Sequence, residues 1–406
     1  MKILYLVNYY QEPGGENLWG ASEASLMSER GHETITYTRT NSEIRDFNLF
    51  QKAGLVFRTT WAHDSWKAIR ELIREHRPDI VHSFNQHVMI SPSAYYACRA
   101  EAVPVLQTIY NYRLVCPGAT LYRNGAVCTQ CRDRSLLASV VHGCFRASRA
   151  QTAILASGLQ VHRILGTWRN VVTGYIVPSK FMGSKLMELG ISPDRIHFKP
   201  NYHEPDPGPR QASQDFVLYI GRLTVDKGVP TMLKAWRSNP RLPRLVIAGG
   251  GPLEAECRAL AVEKLGKVTF LGQVPHDRVI ELTKSAICLL VPSEWLEGFP
   301  HVLLESLGCG VPLVASRIGT LAEVVEHERN GLLFEPGNPE ALADAVQRLT
   351  GSPSLANECG RRARQDYLDK YTAQKNYEIL LGIYETILSR NRLKTPALEM
   401  AVSRTN

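Results

Sequence analysis

Phe216-Val-Leu-Tyr-Ile220-Gly221-Arg222-Leu-Thr-Val-Asp-Lys227-Gly228 opens as an apolar run, turns at one glycine and reaches a second before an amphipathic stretch. A strand, a short glycine-bounded loop and a helix make one half of a parallel crossover unit. The same order recurs on both sides of it. Downstream, strands are predicted at Leu245–Ala248, Val268–Leu271, Ile287–Val291, Leu313–Ala315 and Leu332–Phe334, with helices such as Leu253–Leu265 and Arg278–Ser285 between them. Upstream, strands are predicted at Ile3–Tyr9, Thr34–Thr38, Ile80–Phe84, Val105–Ile109, Tyr175–Val177 and Ile196–Lys199. Helices fall at Glu16–Arg30 and Ser65–His76. Such alternation requires crossovers, hence parallel sheets covered on both faces. Two series predict an α/β chain of two Rossmann-like, doubly wound domains facing an interdomain cleft.

The boundary between the series is legible. Lys199–Gln214 holds four prolines and almost no apolar side chain, which reads as an extended linker. The expected division is 1–200, a linker at 201–214, and 215–372. A last helix at about 373–390 carries Tyr377, Leu380, Leu381, Tyr384, Ile387 and Leu388 at helical spacing, before a polar, frayed end.

Composition excludes several classes. The 406 residues are 44% hydrophobic and 21% charged, which suits ordinary globular domains and not a coiled coil, collagen or a disordered chain. No apolar run approaches the ~20 residues that span a bilayer. The apolar start at Ile3–Val7 is too short for a secretory leader and reads as a buried strand. Nine cysteines without a leader imply a reducing, cytoplasmic compartment. Net charge is +8, and residues 102–200 alone hold 12 Lys/Arg against 3 Asp/Glu. A local basic field attracts anionic small molecules or a membrane surface, or is simply a solvated face. No basic run interleaved with aromatics points to nucleic acid.

Ligands of doubly wound sheets sit beyond the carboxyl ends of the strands, so the loops there carry the chemistry. Gly14-Gly15 precedes a helix and lets backbone N–H groups approach an anion, although a plain turn has the same pattern. Arg222 and Lys227, five residues apart before a helix, suit the two phosphates of a diphosphate. Gly249-Gly250-Gly251-Pro252 permits close backbone approach to a ligand, or is a loose turn. Gln273 and Val274 are placed to present backbone groups to a planar base. In Glu297-Gly298-Phe299-Pro300-His-Val-Leu-Leu-Glu305, Glu297 precedes a helix and Glu305 lies in its second turn. Glu305 suits a vicinal diol, as acidic residues do for ribose. Glu297 suits sugar hydroxyls, or both carboxylates simply favour a helix start.

These pieces together resemble the retaining glycosyltransferases of family 4, which have the GT-B fold. The resemblance covers roughly residues 1–390. It also rests on Arg30-Gly31-His32, Pro78–His82, Ser316–Gly319 with Glu323, and Asn330-Gly331-Leu332-Leu333. It implies a hexosyl transfer from a nucleotide-diphosphate sugar, with UDP favoured over GDP and no catalytic metal. The acceptor would be a glycan or lipid-linked precursor, met at the inner face of the membrane by peripheral attachment. It gives Arg222 and Lys227 the diphosphate, Glu305 the ribose, and Glu297 and the Gly298-Phe299 backbone the donor sugar. It also implies that the last helix crosses back onto the first domain. Thr108-Ile-Tyr110-Asn111-Tyr112-Arg113-Leu-Val-Cys116-Pro117 is similar to a subgroup that has His where this chain has Tyr110. Following a strand, Tyr110 is expected to face the cleft, with Asn111 and Arg113 toward the acceptor. Tyrosine is a poor base near pH 7 but a good hydrogen-bond donor. The other readings are an inactive GT-B scaffold, a sugar-nucleotide epimerase, against which the carboxylate pair argues, and a phosphorylase.

Two further features stand outside this scheme. Cys116, Cys128, Cys131 and Cys144 follow C-x11-C-x2-C-x12-C, a spacing that suits one tetrahedral structural zinc, with His142 as a substitute ligand. Free thiols or a disulfide are the alternatives. Arg113, Arg123, Arg132, Arg134, Arg146 and Arg149 form the core of the basic segment and are expected to meet an anionic acceptor.

Overall fold

The computed structural model describes all residues except 12–14, 134, 212–214 and 403–406. Its strands are β1 (Lys2–Tyr9), β2 (Glu33–Thr40), β3 (Ile80–Ser83), β4 (Val105–Thr108), β5 (Tyr122–Arg123), β6 (Ala126–Val127), β7 (Gly174–Val177) and β8 (Ile196–Phe198). They continue with β9 (Phe216–Ile220), β10 (Arg244–Ala248), β11 (Val268–Gly272), β12 (Leu289–Val291), β13 (Leu313–Ser316) and β14 (Gly331–Phe334). Two parallel six-stranded sheets form, ordered β2-β1-β3-β4-β7-β8 and β11-β10-β9-β12-β13-β14. This is the two-sheet, doubly wound α/β architecture that the sequence predicts.

Strand order positions the site. In the second sheet the chain winds outward from β9 through β10 to β11, then returns to place β12 on the other side of β9. The helices after β9 and β12 therefore leave on opposite faces, and a crevice opens between their loops. In the first sheet the reversal falls between β1 and β3. Central strands are apolar on both faces: Ile3–Val7 and Val217–Leu218 are almost wholly buried.

The helix Ala373–Val402 packs Leu380, Ile383, Tyr384 and Ile387 against Ile3, Tyr5, Ile80, Leu106 and Ile176 of the first sheet. Its helical backbone continues past about 390, where the sequence predicts its end, to Val402.

A buried polar chain sits beneath that packing. The Lys199 ammonium lies 2.7 Å from Glu23, both side chains about 1% exposed. His82 lies 3.6 Å from the same carboxylate and is hydrogen-bonded to the Tyr384 hydroxyl and Thr108 Oγ1, each at 2.7 Å. Burial, then the nearby Lys199 charge, holds the His82 ring well below its usual pKa, so it is neutral. The chain joins the helix Gly15–Glu29 to β3, β4, the segment after β8 and the last helix.

The antiparallel hairpin β5–β6 was not expected from the sequence. Its signal is there: Asn124-Gly125 with both φ values positive, 52° and 78°, as a tight two-residue hairpin turn needs. The strands are two residues each, too short for periodicity to reveal.

Candidate functional site

The crevice at β9/β12 is built from loops that lock onto each other. Lys227, five residues past Arg222, reaches the loop after β12, where its ammonium lies 2.6 Å from Glu297 Oε1. Ser293 Oγ donates to the same oxygen at 2.6 Å. The ammonium also lies 5.4 Å above the Trp295 ring. Glu297 is only 4% exposed, so this carboxylate is charge-paired and oriented before any ligand arrives. Arg222 is exposed at the crevice loop, and its backbone oxygen accepts from the Tyr219 hydroxyl at 2.8 Å. The two cations are thus not equivalent: one is committed to Glu297, the other faces solvent.

The glycine run after β10 packs closely on the loop after β9. A Cβ on Gly249, at φ 144°, would lie 1.9 Å from the Gly221 carbonyl oxygen. Gly249 is therefore glycine because the β9 loop presses on it, whatever else the run approaches. Gly250 lies against the Gln273 side chain, 3.1 Å from an added Cβ. Gln273 is exposed and Val274 half-buried at the edge of the second core.

Glu305 is the fifth residue of the helix His301–Gly308 and is 4% exposed. It accepts a hydrogen bond from His276 Nε2 at 2.9 Å. Burial raises its pKa, and the His276 contact opposes that rise. His203 and His301 complete a cluster around it, the donor atoms of His203, His301 and Glu305 all lying within 4.8 Å of one another. Burial, with His203 and His276 adding repulsion, drops the His301 pKa to about 4. These three histidines went unnoticed in the sequence. The His301-x3-Glu305 spacing, one helical turn on one face, was the available signal.

The first sheet supplies the opposite wall. Tyr110 follows β4, and its ring stacks on Phe84 at 6.2 Å and on Trp19 at 6.5 Å between centroids. Trp19 in turn stacks on His301 at 4.3 Å and 15°. A Cβ on Gly298 would lie 2.3 Å from the Tyr110 carbonyl oxygen, so the loops after β4 and β12 touch and only glycine fits at 298. The Tyr112 hydroxyl donates to the Glu297 carbonyl at 3.4 Å. Glu323 accepts from the backbone N–H groups of Lys180 and Phe181, capping a first-half helix from the second half. Phe299 is half-buried, its ring 6.0 Å from that of Tyr371.

Gly14 lies outside the described residues, and Gly15 opens the helix Gly15–Glu29. Asn111 Oδ1 accepts from the Arg113 N–H at 2.9 Å, and its Nδ2 donates to the Tyr10 hydroxyl at 3.4 Å. The guanidinium groups of Arg113 and Arg146 each lie 5.5 Å from the Phe145 ring centroid. His87 packs its ring edge-on to Phe145 at 6.1 Å. Burial first, then Arg113 and Arg146, keeps His87 neutral. The other arginines of the basic segment disperse. Arg132 pairs with Glu188 at 3.5 Å, Arg123 lines the cysteine pocket, Arg149 is exposed, and Arg134 lies outside the described residues. Among the described arginines of the segment, Arg113 and Arg146 are the two that share the Phe145 ring. Spacing alone does not show this, because the two arginines are 33 residues apart and share the Phe145 ring only in the folded chain.

Cys116, Cys128, Cys131 and Cys144 line one cavity together with His142 and Arg123. All nine cysteines are free thiols. Burial, then the neighbouring cysteines, raises the Cys131 and Cys144 thiols. Among the described residues no helix is long and apolar enough to cross a membrane.

Residues 204–366 match the family model described as glycosyl transferases group 1. An uncharacterized glycosyltransferase of Methanocaldococcus jannaschii is 33% identical over 184 residues, 43% of this chain and 46% of that protein. The D-inositol 3-phosphate glycosyltransferase of Acidothermus cellulolyticus is 35% identical over 203 residues, 46% of this chain and 44% of that one. The chain thus spans about half the length of the curated relatives it matches. Among solved structures, Anabaena HepE in complex with UDP superposes with a TM-score of 0.66 at 17% identity, covering 96% of this chain and all of that one. The sucrose-phosphate synthase of Thermosynechococcus elongatus gives 0.69 at 18%, covering 96% and 99%. These two likenesses are of fold.

Proposed function

We propose that this chain, whose residues 204–366 match the group 1 glycosyltransferase family model and whose fold is that of GT-B structures, transfers a hexosyl group from a nucleotide-diphosphate sugar with retention at the anomeric carbon. The observation that carries the reading is the Lys227–Glu297 pair at 2.6 Å in the β9/β12 crevice, facing Tyr110 across the touching loops. Residues 1–200 hold the acceptor, 201–214 link, and 215–372 hold the donor. UDP is favoured over GDP, in keeping with the UDP in the Anabaena relative.

In this reading Arg222 and Lys227 take the diphosphate, with Gly14-Gly15 and Gly250 lending backbone. Gln273 and Val274 border the base, and Glu305 takes the ribose hydroxyls. Glu297, with the Gly298-Phe299 backbone, holds the donor sugar, and Tyr110 positions it with support from Asn111. The bond from the anomeric carbon to the β-phosphate oxygen breaks, and a bond to the acceptor oxygen forms on the same face. The acceptor proton passes to the departing phosphate, so no protein base is required. Lys227 and Arg222 stabilise the charge that develops there, without a catalytic metal. Arg113 and Arg146 face an anionic acceptor, a lipid-linked phosphate at the cytoplasmic face of the membrane, where attachment is peripheral and electrostatic.

Two tests follow. Arg222→Ala is expected to weaken UDP binding by about 1.5–3 kcal/mol, the range for hydrogen bonds to charged groups. Lys227→Ala should match it and also lower turnover, since it releases Glu297. Calorimetry showing unchanged affinity in both variants would remove the diphosphate assignment, and a product of inverted configuration by NMR would remove retention.

The cysteine pocket fits a structural zinc in ligand type, four thiols with one imidazole at hand. The four cysteines and His142 line one cavity, while the three donors within 4.8 Å of one another lie elsewhere among the described residues. A bound ion would draw the thiolates in and order the β5–β6 hairpin. Tag-free protein is expected to carry about one zinc per chain at this site, with the four thiols slow to react. Metal-free protein with four freely titrating thiols would eliminate the site.

A further inference from the structure

The cluster around Glu305 has a composition that ribose binding does not require. His301 and Glu305 are four residues apart on one helix, so their side chains share a face. His203 comes from the segment joining the two sheets. The three donor atoms lie within 4.8 Å of one another. His276 Nε2 holds Glu305 Oε1 at 2.9 Å, which orients the carboxylate and leaves its second oxygen for another partner. The His301 ring is fixed by stacking on Trp19 at 4.3 Å. His203, His276 and His301 line one open cleft with Trp19, so the imidazoles are reachable from it.

We propose that His203, His301 and Glu305 form a binding site for a borderline divalent cation such as Zn2+, with His276 as the outer partner of the carboxylate. Two imidazoles and one carboxylate select zinc, cobalt or nickel over magnesium or calcium, which require oxygen ligands throughout. Zinc–nitrogen bonds of about 2.0–2.1 Å place tetrahedral donors about 3.4 Å apart. The set must therefore close by about 1.4 Å at its widest, a movement that side-chain rotation supplies. Water fills the fourth position. The position in the cleft also gives the ion a consequence, which rests on the ribose role proposed for Glu305. Cation and nucleotide compete for one carboxylate, so zinc inhibits donor binding and donor excludes zinc.

The test is titration of tag-free, full-length protein with Co2+, followed by visible absorption and calorimetry, then displacement by Zn2+. One Co2+ is expected to bind without a sulfur charge-transfer band, which separates it from binding at the cysteine pocket. His203→Ala and His301→Leu are each expected to weaken it more than about 100-fold, since even outer partners of a metal site cost 10–100-fold. Equal Co2+ binding by His301→Leu and wild type, or binding that shows only sulfur ligation, overturns the site. UDP affinity is then measured with and without Zn2+ and is expected to fall at least about tenfold, near the middle of the usual coupling range. If Co2+ binds as described and UDP affinity is unmoved, the metal site stands and the ribose role of Glu305 falls. If no metal binds and UDP binding still depends on Glu305, the site falls and the donor reading stands.

Discussion

Glu297→Ala is expected to lower kcat by about 10²–10³-fold, the loss seen when one preorganised electrostatic group is removed from a transition state. Three observations motivate a loss of this size. The carboxylate is almost fully buried, it is held by Lys227 and Ser293 at 2.6 Å each, and it lies at the reversal point of the second sheet. A group so fixed costs no reorganisation when charge develops near it. Removing it also frees the Lys227 ammonium, so the donor diphosphate binds as well as before or more tightly. KM for the donor should therefore change little while kcat collapses. Glu297→Gln keeps the shape and the Ser293 contact but loses the charge, and should fall between. Steady-state kinetics with the preferred sugar nucleotide decide the matter. A normal kcat with a raised KM would make Glu297 a ground-state binding residue and overturn its assignment to the reacting sugar.

The largest expected effect on stability is far from that chemistry. Lys199→Met should cost about 3–5 kcal/mol, because it leaves the Glu23 carboxylate buried without its cation. Both side chains are about 1% exposed, so solvent screening does not soften the loss. The neutral His82 ring nearby is a poor substitute for the lost charge. Replacing both partners, Lys199→Met with Glu23→Leu, should recover most of the stability, since a hydrophobic pair of similar volume is often neutral or better. Urea denaturation of the single and double variants measures both. A single variant that loses less than about 1 kcal/mol would mean the pair behaves like a surface ion pair. The helix that carries Glu23 also carries Trp19, which packs on Tyr110 and His301. Loosening it should therefore weaken donor binding before the protein unfolds.

Much of this architecture was legible in the chain. Runs such as Phe216–Ile220 and Ile3–Val7 announce central strands because both of their faces must be apolar. Loops at Gly221–Gly228 and Glu297–Glu305 stand out as candidates because charged residues stand beside glycines and helix starts, and the fold brings the two loops together. These features act within a few residues of one another, so local spacing records them. Asn124-Gly125 was equally local and still passed unread, because two-residue strands leave no period around the turn.

What tertiary structure alone decided are the meetings between distant segments. Lys227 and Glu297 are 70 residues apart, and they touch because β12 inserts beside β9 rather than beside β11. Spacing predicts two cations for a diphosphate; strand order also sets one of them beside a carboxylate. His203, His276 and His301 come from a linker and two helices, and no sequence period relates them. Gly298 must be glycine because of the Tyr110 carbonyl, which lies in the loop after a strand of the other sheet. The physical reason is the same in each case. Hydrophobic periodicity and turn chemistry are properties of neighbours along the chain, whereas the pairing of crossover units and the closing of one sheet on another are set by packing, which the chain records only as apolar surface without an address.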